Sequence, residues 1–348
     1  MSEVVYITTE PSDRIHVKGI TQTPDWIHPQ LIESTDAIKG RQFRVSGPIP
    51  KGACLLVDSP YAVIPVVDDP AHNDDLICSN PACNRPASRD VRTPCSNACI
   101  PDVTWCGSTC RDADSLRHGF ECAWLKRYAG TIRSKWSEYD FGMLWVIVRL
   151  LAARHCQLHE VGAAESTGHW KHGWSGIESL CGSEDTWPHD KVRSWSVLVK
   201  KYLKSSPALP HEMSADHVLH LICQEEANSF GLYPRETGHF PLPNPPVDRG
   251  DQFAAAVYPT AAMANHSCLP NIIHKADDKG RMVFTASRDL FSGEECCISY
   301  FDLTQYTNLT SRREHLRKSF RFMCQCERCV SEEADIPTEW TAMPMMDM

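Results

Sequence analysis

The sequence predicts an α+β fold of several small sheets, into which a cysteine-rich segment and a helical segment are inserted. Short runs rich in Val, Leu and Ile stand between Gly and Pro turns near the start and in the last third of the chain, which is typical of strands. Between them lie a stretch dense in cysteine and a stretch with helical periodicity. The 348 residues, of which 42% are hydrophobic and 23% charged, suffice for such a fold with a sizeable core.

The strand signals occupy two regions. Residues 1–38 give only weak strand signals interrupted by prolines, and we leave them without assignment. The predicted strands are 40–45, 53–57, 61–65, 255–258, 271–274, 282–285 and 296–300. Five prolines between residues 233 and 251 predict an extended loop before the second set.

The helical signals fill the region between the strands and the end of the chain. The predicted helices are 143–153, 191–203 and 215–227, and Ser214 is expected to cap the third. A last helix is predicted to begin at Ser311, where Glu314 completes a capping box, and to end near Cys324. The acidic, Met-rich segment 331–348 is predicted to be disordered.

The charge balance argues against one class of partner. The chain has 44 acidic and 35 basic residues, a formal net charge of −9, and five of the acids lie in residues 331–348. Duplex binding rests on Lys and Arg that neutralise phosphates, so we expect no direct DNA binding and favour a basic protein partner. The longest apolar run, at 141–153, is shorter than the roughly 20 residues of a membrane span, so we expect a buried helix and no membrane contact.

The cysteine usage indicates metal binding in a reducing compartment. Seventeen cysteines form an odd and clustered set, and the first residues have neither the basic start nor the apolar run of a secretory signal. We therefore expect the nucleus or cytoplasm and interpret clustered thiols as metal ligands.

Four closely spaced ligand pairs predict two zinc ions between residues 78 and 122. Tetrahedral zinc takes four thiolate or imidazole ligands, and a short spacing lets two of them bind one ion from a single turn. The alternative, a set of buried free thiols, is disfavoured because such thiols are dispersed and not paired. The pairs are Cys78 and Cys83, Cys95 and Cys99, Cys106 and Cys110, and His118 and Cys122.

These pairs, with Trp105 before the third pair and a His-x3-Cys ending, resemble the MYND zinc finger. The resemblance implies that the first and third pairs share one zinc and the second and fourth share the other. The first pair departs from the family's commoner two-residue gap. Closed sites of this kind are structural, so the module is expected to bind a protein partner and not to catalyse.

A second cysteine cluster needs a ligand from elsewhere in the chain. Cys324, Cys326 and Cys329 supply three thiolates, one short of a tetrahedral site. The candidate for the fourth is Cys268, in the segment Asn265-His266-Ser267-Cys268-Leu269-Pro270-Asn271.

Four motifs in this order resemble a SET-domain protein-lysine methyltransferase. They are this segment, Gly293-Glu294-Glu295, Ile298-Ser299-Tyr300-Phe301-Asp302 and the Cys-x-Cys-x2-Cys cluster. A zinc finger inserted in that domain is similar to the SMYD branch, here a short form without the branch's C-terminal helical-repeat domain. The resemblance implies S-adenosylmethionine as cofactor, a pseudo-knot closed by the third zinc, and a histone or other lysine-bearing protein as substrate. The implied parts are a SET domain in two pieces, 39–70 and 228–303, with the finger at 78–122, a helical insert at 124–227 and a post-SET segment at 304–330.

The resemblance also implies roles for individual residues. Tyr300 is the expected catalytic residue, although a strand tyrosine more often packs in a core. Tyr258 and Phe320 are candidates for the substrate site, and a core role for Tyr258 is equally open. The expected cofactor-binding residues are Gly40, Arg41, Asn228, Asn265, His266, Tyr300 and Phe322.

Two departures from the family pattern leave a rival interpretation open. Gln42 replaces the second glycine of the family's Gly-x-Gly cofactor loop, and Phe320 replaces a second active-site tyrosine. Both favour a protein-interaction adaptor that has lost catalysis. Asn265, His266, Tyr300 and Phe322 favour the enzyme, and we weight the enzyme higher.

Overall fold

A computed structural model describes residues 26–73, 75–159, 173–204 and 213–335, together with two short strands before them. The strands are β1 Ile7–Thr8, β2 His16–Val17, β3 Trp26–Ile27, β4 Leu31–Asp36, β5 Gly40–Val45, β6 Cys54–Asp58, β7 Ala62–Pro65, β8 Asp75–Ile77, β9 Pro86–Ser88, β10 Thr93–Pro94, β11 Thr104–Trp105, β12 Ser229–Leu232, β13 Ala254–Val257, β14 Asn265–His266, β15 Ile272–Ala276, β16 Met282–Ala286 and β17 Glu295–Ile298. The helices are α1 Ser108–Ala113, α2 Ser115–Lys135, α3 Glu138–His159, α4 Gly173–Glu178, α5 His189–Leu198, α6 Ala215–Asn228, α7 Leu309–Ser319 and α8 Glu327–Ala334.

The strands form small sheets, which confirms the predicted fold class. One four-stranded sheet has the order β14-β17-β5-β4, another the order β15-β16-β6-β3, and a three-stranded sheet the order β12-β13-β7. The pairs are antiparallel except that β14 runs parallel to β17, with Asn265 opposite Cys297 and His266 opposite Ile298. This parallel pair brings two sequence motifs side by side, the contact on which the predicted pseudo-knot depends.

The sheets begin earlier in the chain than the sequence indicated. Strand β4 lies within the unassigned residues 1–38 and pairs with β5 along its whole length, from Leu31 opposite Val45 to Asp36 opposite Gly40. Its side chains are mostly polar and only partly buried, so it has no strand-like hydrophobic pattern. It forms a strand because it pairs with β5 across the turn that joins the two. Of the weak signal at residues 4–7, only Ile7 lies within the described residues.

A helical layer packs against the zinc-binding module and β7. Helix α2 carries His118 and Cys122 and continues to Lys135, so the predicted boundary at residue 122 cuts through a helix. Within α3, the segment Glu138–Leu158 is long and apolar enough to cross a membrane, but 61% of it is buried inside the protein. Its apolar character is therefore accounted for by the core. Ser214 accepts a hydrogen bond from His217 N at 3.1 Å and caps α6 as predicted.

The C-terminal helices differ from the prediction. Helix α7 begins at Leu309, and its cap is Asn308, whose Oδ1 accepts from Ser311 N at 2.8 Å, so the predicted capping box at Ser311 is wrong. The helix ends at Ser319, before Cys324. A further helix, α8, extends into the segment predicted to be disordered, because Arg312 pairs with Glu332 at 2.6 Å. Residues 336–348 lie outside the described part of the chain.

Candidate active site and metal centres

The eight ligands between residues 78 and 122 form two groups with the pairing that the resemblance implied. The ligand atoms within each group all lie within 4.8 Å of one another. A zinc ion about 2.3 Å from each tetrahedral thiolate holds the sulfurs roughly 3.8 Å apart. The Cys83–Cys106 and Cys95–Cys122 sulfurs, 3.8 and 3.6 Å apart, match that spacing. The groups are Cys78, Cys83, Cys106 and Cys110, and Cys95, Cys99, His118 and Cys122.

A buried carboxylate fixes the histidine ligand of the second group. Glu121 Oε1 lies 3.2 Å from His118 Nδ1, while His118 Nε2 lies 3.1 Å from Cys95 Sγ. Glu121 is fully buried and also accepts from Arg117 at 2.8 Å and from Arg149 at 3.0 Å. Hydrogen bonds of this kind set the tautomer and orientation of a ligating imidazole. The same carboxylate therefore ties the zinc site to helix α3.

The third group joins the two ends of the predicted SET fold. Cys268 Sγ lies 3.9 Å from Cys324 Sγ and 3.6 Å from Cys329 Sγ, distances that also suit tetrahedral zinc. Around it, Phe301, Leu303, Leu309 and Leu316 form a small buried core. The predicted ligand set Cys268, Cys324, Cys326 and Cys329 is therefore brought together in full.

A cavity of about 560 Å³ lies between the sheets and the helical layer. Tyr300 and Phe320 line one side of it, and Asn228 lies at the end of α6 on another. The Tyr300 and Phe320 ring centroids are 5.0 Å apart. Phe320 therefore contributes an aromatic wall beside the predicted catalytic residue.

Tyr300 is held by its backbone and by its hydroxyl. Its N–H donates to His266 Nδ1 at 3.1 Å, and its hydroxyl donates to the carbonyl oxygen of Ala264 at 3.1 Å. Burial, with the nearby Cys297 and Glu295, raises the pKa of Tyr300 well above its usual range, so the phenol is neutral. His266 Nδ1 accepts a hydrogen bond, so the proton of its neutral ring is on Nε2, 3.3 Å from Cys268 Sγ. Tyr300 is thereby linked to the third metal group.

Of the predicted cofactor residues, Asn228 and Tyr300 line the cavity, whereas Gly40, Arg41, Asn265, His266 and Phe322 are not among its lining residues. Asn265 Nδ2 donates to Glu295 Oε1 at 3.0 Å and lies 3.5 Å from the carbonyl oxygen of Arg41. Arg41 donates to the Ser179 carbonyl at 2.9 Å, and Asn228 donates to the Cys181 carbonyl at 2.7 Å. The loop after α4 therefore places Arg41 beside Asn228.

The remaining two cofactor candidates lie at the edges of this group. The Phe322 ring is 6.0 Å from the His266 ring and 6.3 Å from the Tyr300 ring. Gly40 closes the turn between β4 and β5 with φ +74°, and a Cβ there would meet no atom within 4 Å. The backbone conformation requires glycine at this position, and the space beside it is open.

Gln42, which departs from the family pattern, does not project from the hairpin. Its side chain is only 1% exposed. In the amide orientation that satisfies both of its polar atoms, its nitrogen donates to Glu295 Oε1 at 2.9 Å. Glu295 thus binds both Gln42 and Asn265.

Tyr258 does not lie where it was predicted. Its side chain is fully buried, packs edge-on against Phe230 and donates its hydroxyl to the carbonyl oxygen of Gly280. It does not line the cavity, so the prediction of a substrate-site tyrosine is wrong here and the core alternative holds. Tyr258 is held in the core because Gly280, in the turn between β15 and β16, has a buried carbonyl that needs a hydrogen-bond donor.

The charged residues that line the cavity were not predicted, and Glu225 and Arg249 are two of them. Glu225 is 7% exposed, and burial followed by the neighbouring Glu226 raises its pKa to about 8. Arg249 lies near the end of the proline-rich loop 233–251. A helix-end acid and a loop arginine ordinarily face solvent, so the sequence offered no signal for either.

Comparisons with known proteins identify a family and several relatives. A sequence model of the SET domain matches residues 40–301. The potential protein lysine methyltransferase SET6 of Saccharomyces cerevisiae is 35% identical over 127 residues, 36% of this chain and 31% of that protein. The N-lysine methyltransferase SMYD2 of Homo sapiens is 24% identical over 299 residues, 85% of this chain and 59% of that protein. The solved structure of Rubisco LSMT bound to AdoMet has a TM-score of 0.38 and 12% identity, and the match covers 88% of this chain and 53% of that chain.

The chain spans 31% and 59% of the length of these two curated relatives. The match at residues 40–301 takes in the sheets on both sides of the zinc-binding insertion, with Asn265, His266 and Tyr300. That match covers most of the chain, and the protein therefore belongs to the SET domain family.

Proposed function

We propose that this chain is an S-adenosylmethionine-dependent protein-lysine N-methyltransferase. The observation that carries the proposal is the position of Tyr300, on the wall of the cavity and locked to His266 and Ala264. Two of the predicted cofactor residues, His266 and Phe322, contact the same tyrosine, and Asn228 lines the same cavity, which supports the proposal. The printed names of the relatives support the same reaction.

The chain's part in this reaction is alignment. The Tyr300 hydroxyl proton is directed to the Ala264 carbonyl, so the phenol oxygen has its lone pairs available as hydrogen-bond acceptors. An acceptor there can orient the N–H of a neutral lysine amine. The raised pKa of Tyr300 keeps this oxygen uncharged. Phe320, 5.0 Å from the Tyr300 ring, supplies an apolar wall that excludes water from the amine.

The residues around Tyr300 fit the proposed cofactor. S-adenosylmethionine, when bound, supplies the electrophilic methyl group, so the site needs neither a metal nor a covalent nucleophile for the transfer. Asn265 and Asn228 offer amide groups, Arg41 offers its backbone, and Phe322 offers an aromatic face for the adenine. The open space at Gly40 leaves room beside them.

The two departures from the family pattern, Gln42 and Phe320, give the adaptor interpretation less support once their surroundings are considered. Gln42 is turned into the sheet against Glu295. Phe320 keeps an aromatic ring against Tyr300. We propose further that the substrate is a histone or another lysine-bearing protein in the nucleus or cytoplasm, and that the closed zinc module binds a protein partner.

The test is methyl transfer by purified protein from labelled S-adenosylmethionine to a panel of lysine-bearing proteins that includes histones. Tyr300→Phe keeps the ring and removes one oxygen, so turnover should fall on the order of tenfold while cofactor affinity stays unchanged. Tyr128→Phe, in the helical layer away from the cavity, is the matched control and should keep the parental rate. A Tyr300→Phe protein with the parental rate would contradict the proposed site.

A further inference from the structure

We propose that Arg249 forms a subsite for a carboxylate of the protein substrate, on a residue close in sequence to the methylated lysine. The inference rests on the proposed function and names a feature of the substrate. The subsite belongs to the proline-rich loop 233–251, which the predicted SET fold leaves without a role. Arg249, Tyr233, Gln252 and His274 all line the same cavity as Tyr300.

The guanidinium of Arg249 is held in place before any ligand binds. It stacks on the face of the Tyr233 ring, 3.6 Å from the centroid, and donates to the Tyr233 hydroxyl at 2.9 Å. That hydroxyl is 3.3 Å from Gln252 Oε1. The backbone N–H of Arg249 donates to Asp302 at 3.0 Å and fixes the chain at this point. A cation positioned in this way loses little conformational freedom when it binds an anion.

Arg249 has no ion-pair partner of its own. Within the described part of the chain, no carboxylate lies at ion-pair distance from its guanidinium, although the side chain is half-buried. By contrast Arg235, at the start of the same loop, is more exposed and pairs with Asp248 at 2.7 Å. The oxygens of the nearby Asp302 accept from backbone N–H groups, including that of Thr304 at 2.9 Å. Most of the five N–H donors of Arg249 are therefore open to a ligand.

A second polar group faces the same part of the cavity. His274 is 8% exposed, and its Nδ1 has no hydrogen-bond partner. Its backbone exchanges two hydrogen bonds of 2.9 Å with Thr237, so the ring is tied to the proline-rich loop. Burial, together with the charge of Arg249, lowers the pKa of His274 to about 3, and the ring is neutral. A buried polar atom without a partner calls for one, and a ligand in the cavity that His274 lines can supply it.

The position of Arg249 sets how far the carboxylate lies from the lysine. The backbone N–H of Arg249 donates to Asp302, which stands two residues after Tyr300 in the chain, and Arg249 and Tyr300 line the same cavity. Arg249 therefore lies within a few residue lengths of the tyrosine. An extended peptide covers about 3.3 Å per residue. The acidic residue should therefore stand roughly two to four positions from the lysine.

The probe is a pair of synthetic peptide pools with a central lysine, randomised flanks, and either Glu or Gln at those positions. We expect the parental protein to methylate the Glu pool about tenfold more efficiently, through a lower KM, since a charge-assisted hydrogen bond is worth that factor. Arg249→Ala should abolish the preference, and Arg249→Glu should reverse it toward a pool with Lys at those positions. Tyr233→Phe, which keeps the ring but not the hydroxyl, should reduce it. Arg235→Ala is the control and should keep it.

An equal rate for the Glu and Gln pools would overturn the subsite, as would a preference that survives Arg249→Ala. Fluorescence anisotropy of the same labelled pools measures binding without catalysis. If neither pool is methylated, the proposed function fails, and the anisotropy difference between the pools still decides whether Arg249 binds a carboxylate. If Arg249→Ala does not fold, Tyr233→Phe and Arg249→Glu decide it in its place.

Discussion

Replacing Glu225 by Gln should stabilise the protein, and more so as the pH rises. Glu225 is buried in the cavity wall next to Glu226 and has a hydrogen bond with Ser229 as its local support. Burial raises its pKa from 4.5 to about 8. Below its pKa in the unfolded state, the carboxyl is protonated in both the folded and the unfolded protein, so its raised pKa does not lower the free energy of unfolding. It destabilises the fold progressively as the pH rises from 4.5 to 8, and fully above that.

The magnitude follows from the size of the shift. One pKa unit corresponds to about 1.4 kcal/mol, so the penalty is about 2 kcal/mol at pH 6 and at most about 5 kcal/mol at pH 9. Glutamine has nearly the same volume and can keep the hydrogen bond to Ser229, but it carries no charge. Glu225→Gln should therefore raise the free energy of unfolding by those amounts, a large effect for a domain.

The assay is urea unfolding of the zinc-bound protein and of the variant at pH 6 and pH 9. Both proteins have the same zinc ligands, so the pH dependence of those ligands cancels when their free energies of unfolding are subtracted. Glu314→Gln, at an exposed position on α7, is the matched control and should change stability by less than about 0.5 kcal/mol at both values. A Glu225→Gln gain that is equal at pH 6 and pH 9, or absent at both, would refute the reasoning.

Three further predictions concern the metal centres and the cofactor site. Glu121→Ala leaves Arg149 buried without its carboxylate partner, while Arg117 keeps Asp114, and should cost about 3–5 kcal/mol in denaturant unfolding; a loss below about 1 kcal/mol would contradict the network. Metal analysis should find three zinc ions per chain, and chelation should unfold at least the module at 78–122; one equivalent or none would contradict the ligand sets. Asn265→Ala should weaken S-adenosylmethionine binding by about 1–3 kcal/mol in calorimetry, and unchanged affinity would refute its assignment to the cofactor.

The metal centres were predictable because their information is local. In the zinc finger, three or four residues separate the members of each ligand pair, so spacing alone identifies the pairs. The resemblance to the MYND finger implied which pairs share an ion, and the distant Cys268 was identified from the motif that contains it. The strand segments next to these motifs were predictable for the same reason. Zinc coordination then fixes how the segments come together, because a tetrahedral ion tolerates few arrangements of its ligands.

Features that depend on distant contacts were not predictable. Strand β4 has no hydrophobic alternation, and only its pairing with β5 makes it a strand. Tyr258 and Tyr300 are both tyrosines near a family motif, yet the Gly280 carbonyl holds one in the core and the Ala264 carbonyl holds the other at the cavity. At α7, the sequence predicted a start at Ser311, but the helix begins at Leu309 and Asn308 accepts the backbone hydrogen bond from Ser311.

The most direct test of the proposed activity is mass spectrometry of a lysine-bearing protein after incubation with the purified chain and S-adenosylmethionine deuterated at its transferable methyl. The proposal predicts a product heavier by whole deuterated methyl groups, located on a lysine side chain, and roughly tenfold slower formation of that product by Tyr300→Phe. If a broad panel of folded and peptide substrates stays unmodified although the chain measurably binds the cofactor, that result would contradict the proposed activity and would favour the adaptor interpretation.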